Sequence, residues 1–302
     1  MSGVLVTGAT GLVGSRLVRS LVADRIAVRA ATRTPANAGL PGGVEAVAWD
    51  GVLIPSGRIA GCDALVHLAG EPVFGGLPTR SRLDRILASR VDSTRALVQS
   101  IAKLSVAERP KVLVCASAIG YYGDRGDEML TESTPPGNGF LADVCIAWEE
   151  EARAAAALGV RTVSLRIGIV LAREGGALAM LARLFRLGLG GVVGSGRQWV
   201  SWIHADDLVA MIRAALGDER WSGVANAVAP QPITNAELTL ELARAVHRPA
   251  WLPAPAFAVR AALGEMAGEL LGSRRVVPAF AQERGFRFGV ETFGRALEAE
   301  LR

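Results

Sequence analysis

The sequence predicts an α/β chain built as a doubly wound parallel sheet, with a small and mostly helical C-terminal subdomain. Three observations carry this. Short β-branched runs alternate with longer stretches of helical period through the first two-thirds of the chain. A glycine-rich turn sits directly between the first such run and the first helical stretch. After Arg166 the rhythm changes, and beyond Pro230 it is mostly helical.

The predicted strands cover 4–7, 27–32, 44–48, 64–68, 112–116 and 162–166, with a late strand at 223–227. Apolar residues recur at helical spacing over 12–23, 81–104 and 141–158, and a further helix is expected over 206–216. Thr234 and Glu237 have the spacing of a capping box at the start of the helical C-terminal part. Two domains are expected: 1–230, the sheet domain, and 231–302, a helical subdomain on the substrate side. Pro249, Pro253 and Pro255 mark a boundary to a small C-terminal subdomain.

Of the 302 residues, 50% are hydrophobic and 21% charged, enough for one large core or two unequal ones. Charged residues interrupt every apolar run before it reaches the roughly twenty residues of a membrane span. No basic segment precedes the first strand, and the three cysteines, Cys62, Cys115 and Cys145, form no CxxC pair. A cytoplasmic protein with reduced thiols is expected, with no metal site and no membrane partner. The net charge of +4 is dispersed, with acids between the basic residues, which points away from nucleic acid and toward a small acidic ligand.

Gly8, Gly11 and Gly14 make a G-x-x-G-x-x-G turn between strand and helix. Glycines there permit a tight turn and close backbone approach, and the helix N-terminus offers N–H groups and positive dipole to a pyrophosphate. Thr10, Leu12 and Val13 complete this cofactor-binding turn. A dinucleotide site that prefers NAD places an acid after the second strand to bind the ribose. Here Thr32 and Arg33 stand in that place, and a guanidinium suits a 2′-phosphate, so NADP is the expected cofactor. Asp50 is placed to meet the adenine, and Leu68, Ala69 and Gly70 to line the cofactor at the end of the fourth strand.

These residues resemble the extended short-chain dehydrogenase/reductases. The glycine turn, HLAG at 67–70, SAIGYYG at 117–123 and SWIHADDL at 201–208 fall in that family's order. SAIGYYGDRGDE, GLGG at 188–191 and LGEMAGELL at 263–271 resemble an atypical, epimerase-like branch, with an NAD-dependent epimerase/dehydratase-like domain and a C-terminal domain of unknown function. The resemblance implies a Rossmann fold for 1–230. It also implies a small-molecule substrate, such as a nucleotide sugar, and allows a homodimer.

The chemistry departs from the family pattern. Typical members use Tyr-x-x-x-Lys on the helix after the fifth strand, where this chain has Leu141 and Cys145. Its only lysines, Lys103 and Lys111, lie upstream of both tyrosines, Tyr121 and Tyr122. The resemblance leaves Ser117 as the substrate-orienting hydroxyl and sets Arg90 in place of an asparagine, where its charge replaces part of the lysine's. Tyr122 is the candidate proton donor, and Cys145 is a candidate catalytic thiol or, more simply, pocket wall. Val170 is placed to touch the nicotinamide end. Trp199 and Trp202 are stacking candidates that also suit a core, while His67, His204 and His247 read as packing, structural and surface residues. Two functions stay open: an NADP(H)-binding oxidoreductase or epimerase-like enzyme, and a non-catalytic NADP(H) sensor.

Overall fold

The computed structural model describes the chain except for Ser2, Phe74, Gly75, Leu77 and Arg302. Seven strands form one sheet: β1 (Gly3–Thr7), β2 (Ala27–Thr32), β3 (Glu45–Ala48), β4 (Ala64–His67), β5 (Val112–Ala118), β6 (Arg161–Ile167) and β7 (Gly223–Ala227). Their order is β7-β6-β5-β4-β1-β2-β3. Strand β1 pairs in parallel with both β2 and β4, β2 with β3, and β4 with β5. Chain order reverses between β1 and β4. This switch point is where doubly wound sheets bind ligands, beyond the carboxyl ends of the strands. The predicted fold class is the observed one.

The strands read as continuous apolar runs because both faces are covered. All four residues of β4 are buried, and Leu5, Leu65 and Leu113 from three adjacent strands share a core with Leu97 and Ile101. Truncating a leucine such as Leu97 at this density costs about 2–5 kcal/mol.

The helix predicted over 81–104 is two helices, Arg80–Ala88 and Val91–Ala102. The break falls at Ser89 and Arg90, where side chains compete for the backbone. Ser93 Oγ donates to the Ser89 carbonyl and Thr94 Oγ1 to that of Arg90, each at 2.6 Å. The Arg90 N–H bonds the Leu87 carbonyl three residues back. The stretch 141–158 is likewise divided into an α-helix, Phe140–Arg153, and a 3₁₀ segment, Ala154–Leu158.

The chain forms two compact units, and they do not divide at residue 230. One consists of Met1–Ser117, Val144–Leu165 and Val209–Val224; the other of Ala118–Asp143, Arg166–Leu208 and Ala225–Arg302. The chain passes between them several times, so no single break in composition marks the division. In the second unit Trp202, Phe185, Leu242, Phe293 and Leu297 share a core. The Thr234–Glu237 capping box is present, with the Thr234 N–H donating to Glu237 Oε2 at 2.9 Å and the Glu237 N–H to Thr234 Oγ1 at 3.3 Å.

Candidate functional site

The glycine turn closes as its sequence requires. Gly8 has φ +67°, a left-handed conformation that favours glycine, and a Cβ there would lie 2.9 Å from the Ala69 nitrogen and the Leu68 carbonyl carbon. Gly14 is tighter still, because its Cβ would stand 2.1 Å from the Gly8 carbonyl oxygen. Strand, turn and helix therefore meet backbone to backbone. The helix Leu12–Ala23 starts at Gly11 with no side-chain cap and no acid in its first turn, so its N-terminal N–H groups and dipole are left to an anion. Thr10 and Gly11 are exposed, and Leu12 and Val13 half-buried.

At the end of β2 the buried Thr32 accepts, through Oγ1, a 3.3 Å hydrogen bond from the Thr34 N–H, which shapes the exit from the strand. Arg33 is exposed. Asp50 Oδ1 accepts from the N–H groups of Val52 (2.8 Å) and Leu53 (3.0 Å), and these bonds hold its carboxyl below the usual carboxylate range. Asp50 thus also builds its own turn.

At the end of β4, His67 is buried between Thr7 Oγ1, 2.7 Å from Nδ1, and Ser93 Oγ, 3.2 Å from Nε2. Burial lowers its pKa to about 4. A neutral ring satisfies every group: Thr7 donates to Nδ1 and accepts from the Ala69 N–H, while Ser93 donates to the Ser89 carbonyl. The chain of bonds fixes Leu68–Gly70 against the glycine turn. His67 is the packing residue the sequence suggested.

Arg90 sits beside the same loop. Its Nη1 donates to the carbonyls of Glu71 (3.0 Å) and Ile86 (3.2 Å), and its Cζ lies 5.3 Å from the centre of the Trp148 ring. A Cβ on Gly70 would stand 3.2 Å from Cζ. Burial lowers the guanidinium's pKa, and the Cys145 thiol is close enough to interact with its charge. Arg90 therefore brings a partly buried positive charge to Gly70 and to the residue at the missing lysine's position, and it also ties down the loop.

Ser117, 3% exposed near the end of β5, donates through Oγ to Glu149 Oε1 at 2.6 Å. Glu149 is buried and was not among the residues singled out from sequence. The signal was present: one helical turn separates it from Cys145, and an acid there interrupts an apolar face. Cys145 is itself buried.

Tyr122 is 0% exposed in the second unit, within a cluster that includes Ile119, Leu130 and Val276. Its hydroxyl donates toward Asn226 Oδ1 (2.7 Å) and the Thr131 carbonyl (3.0 Å) and accepts from Arg166 Nη1 (3.0 Å). Desolvation raises its pKa to about 12, against the pull of Arg166. A phenol so enclosed is a poor proton donor, which counts against the expectation that Tyr122 does the acid chemistry. Asn226 and Arg166 are partners that sequence reasoning missed.

Val170 lies in a short strand, Ile169–Leu171, paired in parallel with Trp202–His204 of the second unit. Trp202 is a core residue whose Nε1 donates to the Gln231 carbonyl at 3.0 Å. The Trp199 ring is covered by the Arg275 guanidinium, 4.5 Å from its centre. His204 is buried with Nε2 2.9 Å from Glu300 Oε1, and His247 is exposed. Among the described residues no group of side chains has the makings of a metal site, and no helix is long and apolar enough to cross a membrane.

A family model described as the NAD dependent epimerase/dehydratase family matches residues 4–226, and one described as a domain of unknown function, DUF1731, matches residues 254–300. The chain is similar to the epimerase family protein SDR39U1 homolog, chloroplastic, of Arabidopsis thaliana. The two are 40% identical over 305 residues, which cover 98% of this chain and 86% of that one. It is also similar to the crystal structure of human epimerase family protein SDR39U1 (isoform2) with NADPH, at 32% identity and a TM-score of 0.87, covering 98% of each chain. UDP-glucuronic acid 4-epimerase from Bacillus cereus, in complex with UDP-glucuronic acid and NAD, shares the fold: TM-score 0.80, 17% identity, 99% of this chain and 98% of that one. The chain belongs to the NAD dependent epimerase/dehydratase family.

Proposed function

We propose that the protein binds NADP(H) and is an oxidoreductase or epimerase-like enzyme without the Tyr-x-x-x-Lys pair, acting on a small anionic substrate such as a nucleotide sugar. One observation carries the binding half. Gly8 and Gly14 pack backbone to backbone where no Cβ fits, the exposed Gly11 leaves the turn's outer side bare at an uncapped helix N-terminus, and an exposed arginine follows the neighbouring strand β2. The human relative crystallised with NADPH supports the same reading. Thr10, Leu12 and Val13 bring backbone N–H groups to the pyrophosphate, and Arg33 and Thr32 the 2′-phosphate side. Asp50 would take the adenine side, and Leu68–Gly70 the ribose and nicotinamide. The bound cofactor supplies hydride transfer.

The chain's own contribution to proton handling rests on Ser117. Its proton is committed to Glu149, so its oxygen is left to accept from a substrate hydroxyl. Arg90 supplies the positive charge that the missing lysine does not, and Cys145 serves as wall. Tyr122 holds its surroundings together. Three buried cysteines that form no disulfide fit a reducing, cytoplasmic setting.

The enclosed Tyr122 hydroxyl favours the second reading, a non-catalytic NADP(H) sensor. A panel of nucleotide sugars, aldehydes and ketones separates the two. Substrate-dependent change in nicotinamide absorbance supports the enzyme, and tight NADPH binding with no turnover across the panel supports the sensor.

A further inference from the structure

Two stretches of the second unit carry no Asp or Glu, from Gly175 to Ala205 and from Leu242 to Gly264. They lie side by side. The Leu252 N–H donates to the Gly190 carbonyl at 3.1 Å, the Ala254 N–H to that of Val192 at 2.9 Å, and the Gly194 N–H returns to the Ala254 carbonyl at 2.9 Å. Contact is close enough that a Cβ on Gly191 would stand 1.9 Å from the Leu252 carbonyl oxygen.

This joined face exposes large apolar side chains where a soluble surface ordinarily hides them. Trp251 is 78% exposed, Phe257 75% and Leu187 65%, with Leu189 and Leu252 about half exposed. Scattered exposed leucines are ordinary, but a tryptophan, a phenylalanine and three leucines on hydrogen-bonded neighbouring segments make a patch. Arg183, Arg186, Arg248 and Arg260 on the same two stretches are all exposed. The helix Gly176–Arg186 keeps Leu178, Ala182 and Phe185 for the core, so the outward Arg183 and Arg186 are surplus to packing.

Exposed apolar, aromatic and arginine side chains on two adjoining segments that carry no acid match an anionic lipid surface. We propose that this face docks on the headgroup region of an anionic bilayer. Trp251, Phe257 and the leucines enter the interface, and the four arginines meet lipid phosphates. This is surface association, distinct from a span, which no helix among the described residues allows. A second copy of the chain is the poorer occupant, because a two-fold contact of this face with itself sets arginines against arginines. The inference does not depend on the cofactor reading.

Co-sedimentation of the full chain with phosphatidylglycerol/phosphatidylcholine vesicles tests it. Binding is expected to anionic vesicles and not to pure phosphatidylcholine, and to weaken as salt rises from ~0.1 M to ~1 M and the Debye length shrinks from ~10 to ~3 Å. Each Arg→Gln change among the four is expected to weaken it about fivefold. Trp251→Ala with Phe257→Ala is expected to abolish it with the thermal midpoint unchanged, since both side chains are exposed. Brominated acyl chains should quench wild-type tryptophan fluorescence more than that of Trp251→Phe. No binding to anionic vesicles at low salt overturns the proposal. So does binding that survives the double variant, or a wild-type dimer that Trp251→Asp dissociates.

Discussion

The Ser117 hydroxyl donates a 2.6 Å hydrogen bond to Oε1 of Glu149, a carboxylate buried one helical turn beyond Cys145. Strand β5 and the helix Phe140–Arg153 are thus joined by a pair with no part in the usual Tyr-x-x-x-Lys pattern. The bond fixes the serine proton on the carboxylate and turns the serine oxygen into an acceptor.

Removing the hydroxyl takes one donor away from a buried carboxylate. Ser117→Ala is expected to cost about 1–3 kcal/mol of unfolding free energy. Glu149→Gln retains an acceptor oxygen and is expected to cost less. Urea denaturation of the two variants checks the ranking, and the reverse order would show that the pair is not held by this bond.

Tyr122→Phe removes one hydroxyl from Asn226, Thr131 and Arg166 together, so a loss of about 1–3 kcal/mol is expected. If a substrate is found, kcat should change little. The pH dependence has a definite sign. The folded phenol's pKa of about 12 lies above the ordinary value of about 10, so the native state holds the proton more tightly. Its contribution is complete below pH ~10 and is lost as pH rises toward 12. Tyrosinate absorbance of the folded protein should show one tyrosine titrating about two units above the free phenol.

His67 works in the opposite sense. A folded pKa near 4 against an ordinary 6.5 means that the unfolded chain takes up a proton the native state refuses. Its contribution is complete above pH 6.5 and falls by about 3 kcal/mol toward pH 4. Stability measured across that window should decline less steeply in His67→Gln than in the wild type.

What the sequence made legible follows from how local the determinants are. The first helix lies where its period and glycine turn place it, Leu12–Ala23, because the turn and the amphipathic spacing are both written within a dozen residues. The break at Arg90 was not legible, since it depends on hydroxyls bonding backward to Ser89 and Arg90 within a stretch of unbroken helical period. The enclosure of Tyr122 was not legible for a different reason. Its motif set it after the fifth strand, but its partners Arg166 and Asn226 lie 44 and 104 positions away, and nothing local announces them. Glu149 is one of three consecutive acids, and only its contact with Ser117, 32 positions away, sets it apart.

Two glycines of the turn should separate structure from binding. Gly14→Ala forces a Cβ to within 2.1 Å of the Gly8 oxygen, so it is expected to lower the thermal midpoint as well as cofactor affinity. Gly11 is exposed, and a Cβ there would meet only the Gly8 oxygen, at 3.2 Å. Gly11→Val is expected to abolish NADPH binding with the midpoint nearly unchanged, because the branched side chain stands where the pyrophosphate must approach.

The central claim is that the glycine turn and Arg33 select a dinucleotide with a 2′-phosphate, and calorimetric titration of the wild type and Arg33→Ala with NADPH and NADH tests it most directly. The account predicts NADPH binding at least about tenfold tighter than NADH, roughly 1.4 kcal/mol, with the preference lost in the variant. Equal affinities in the wild type, or a preference that survives the loss of Arg33, would contradict it.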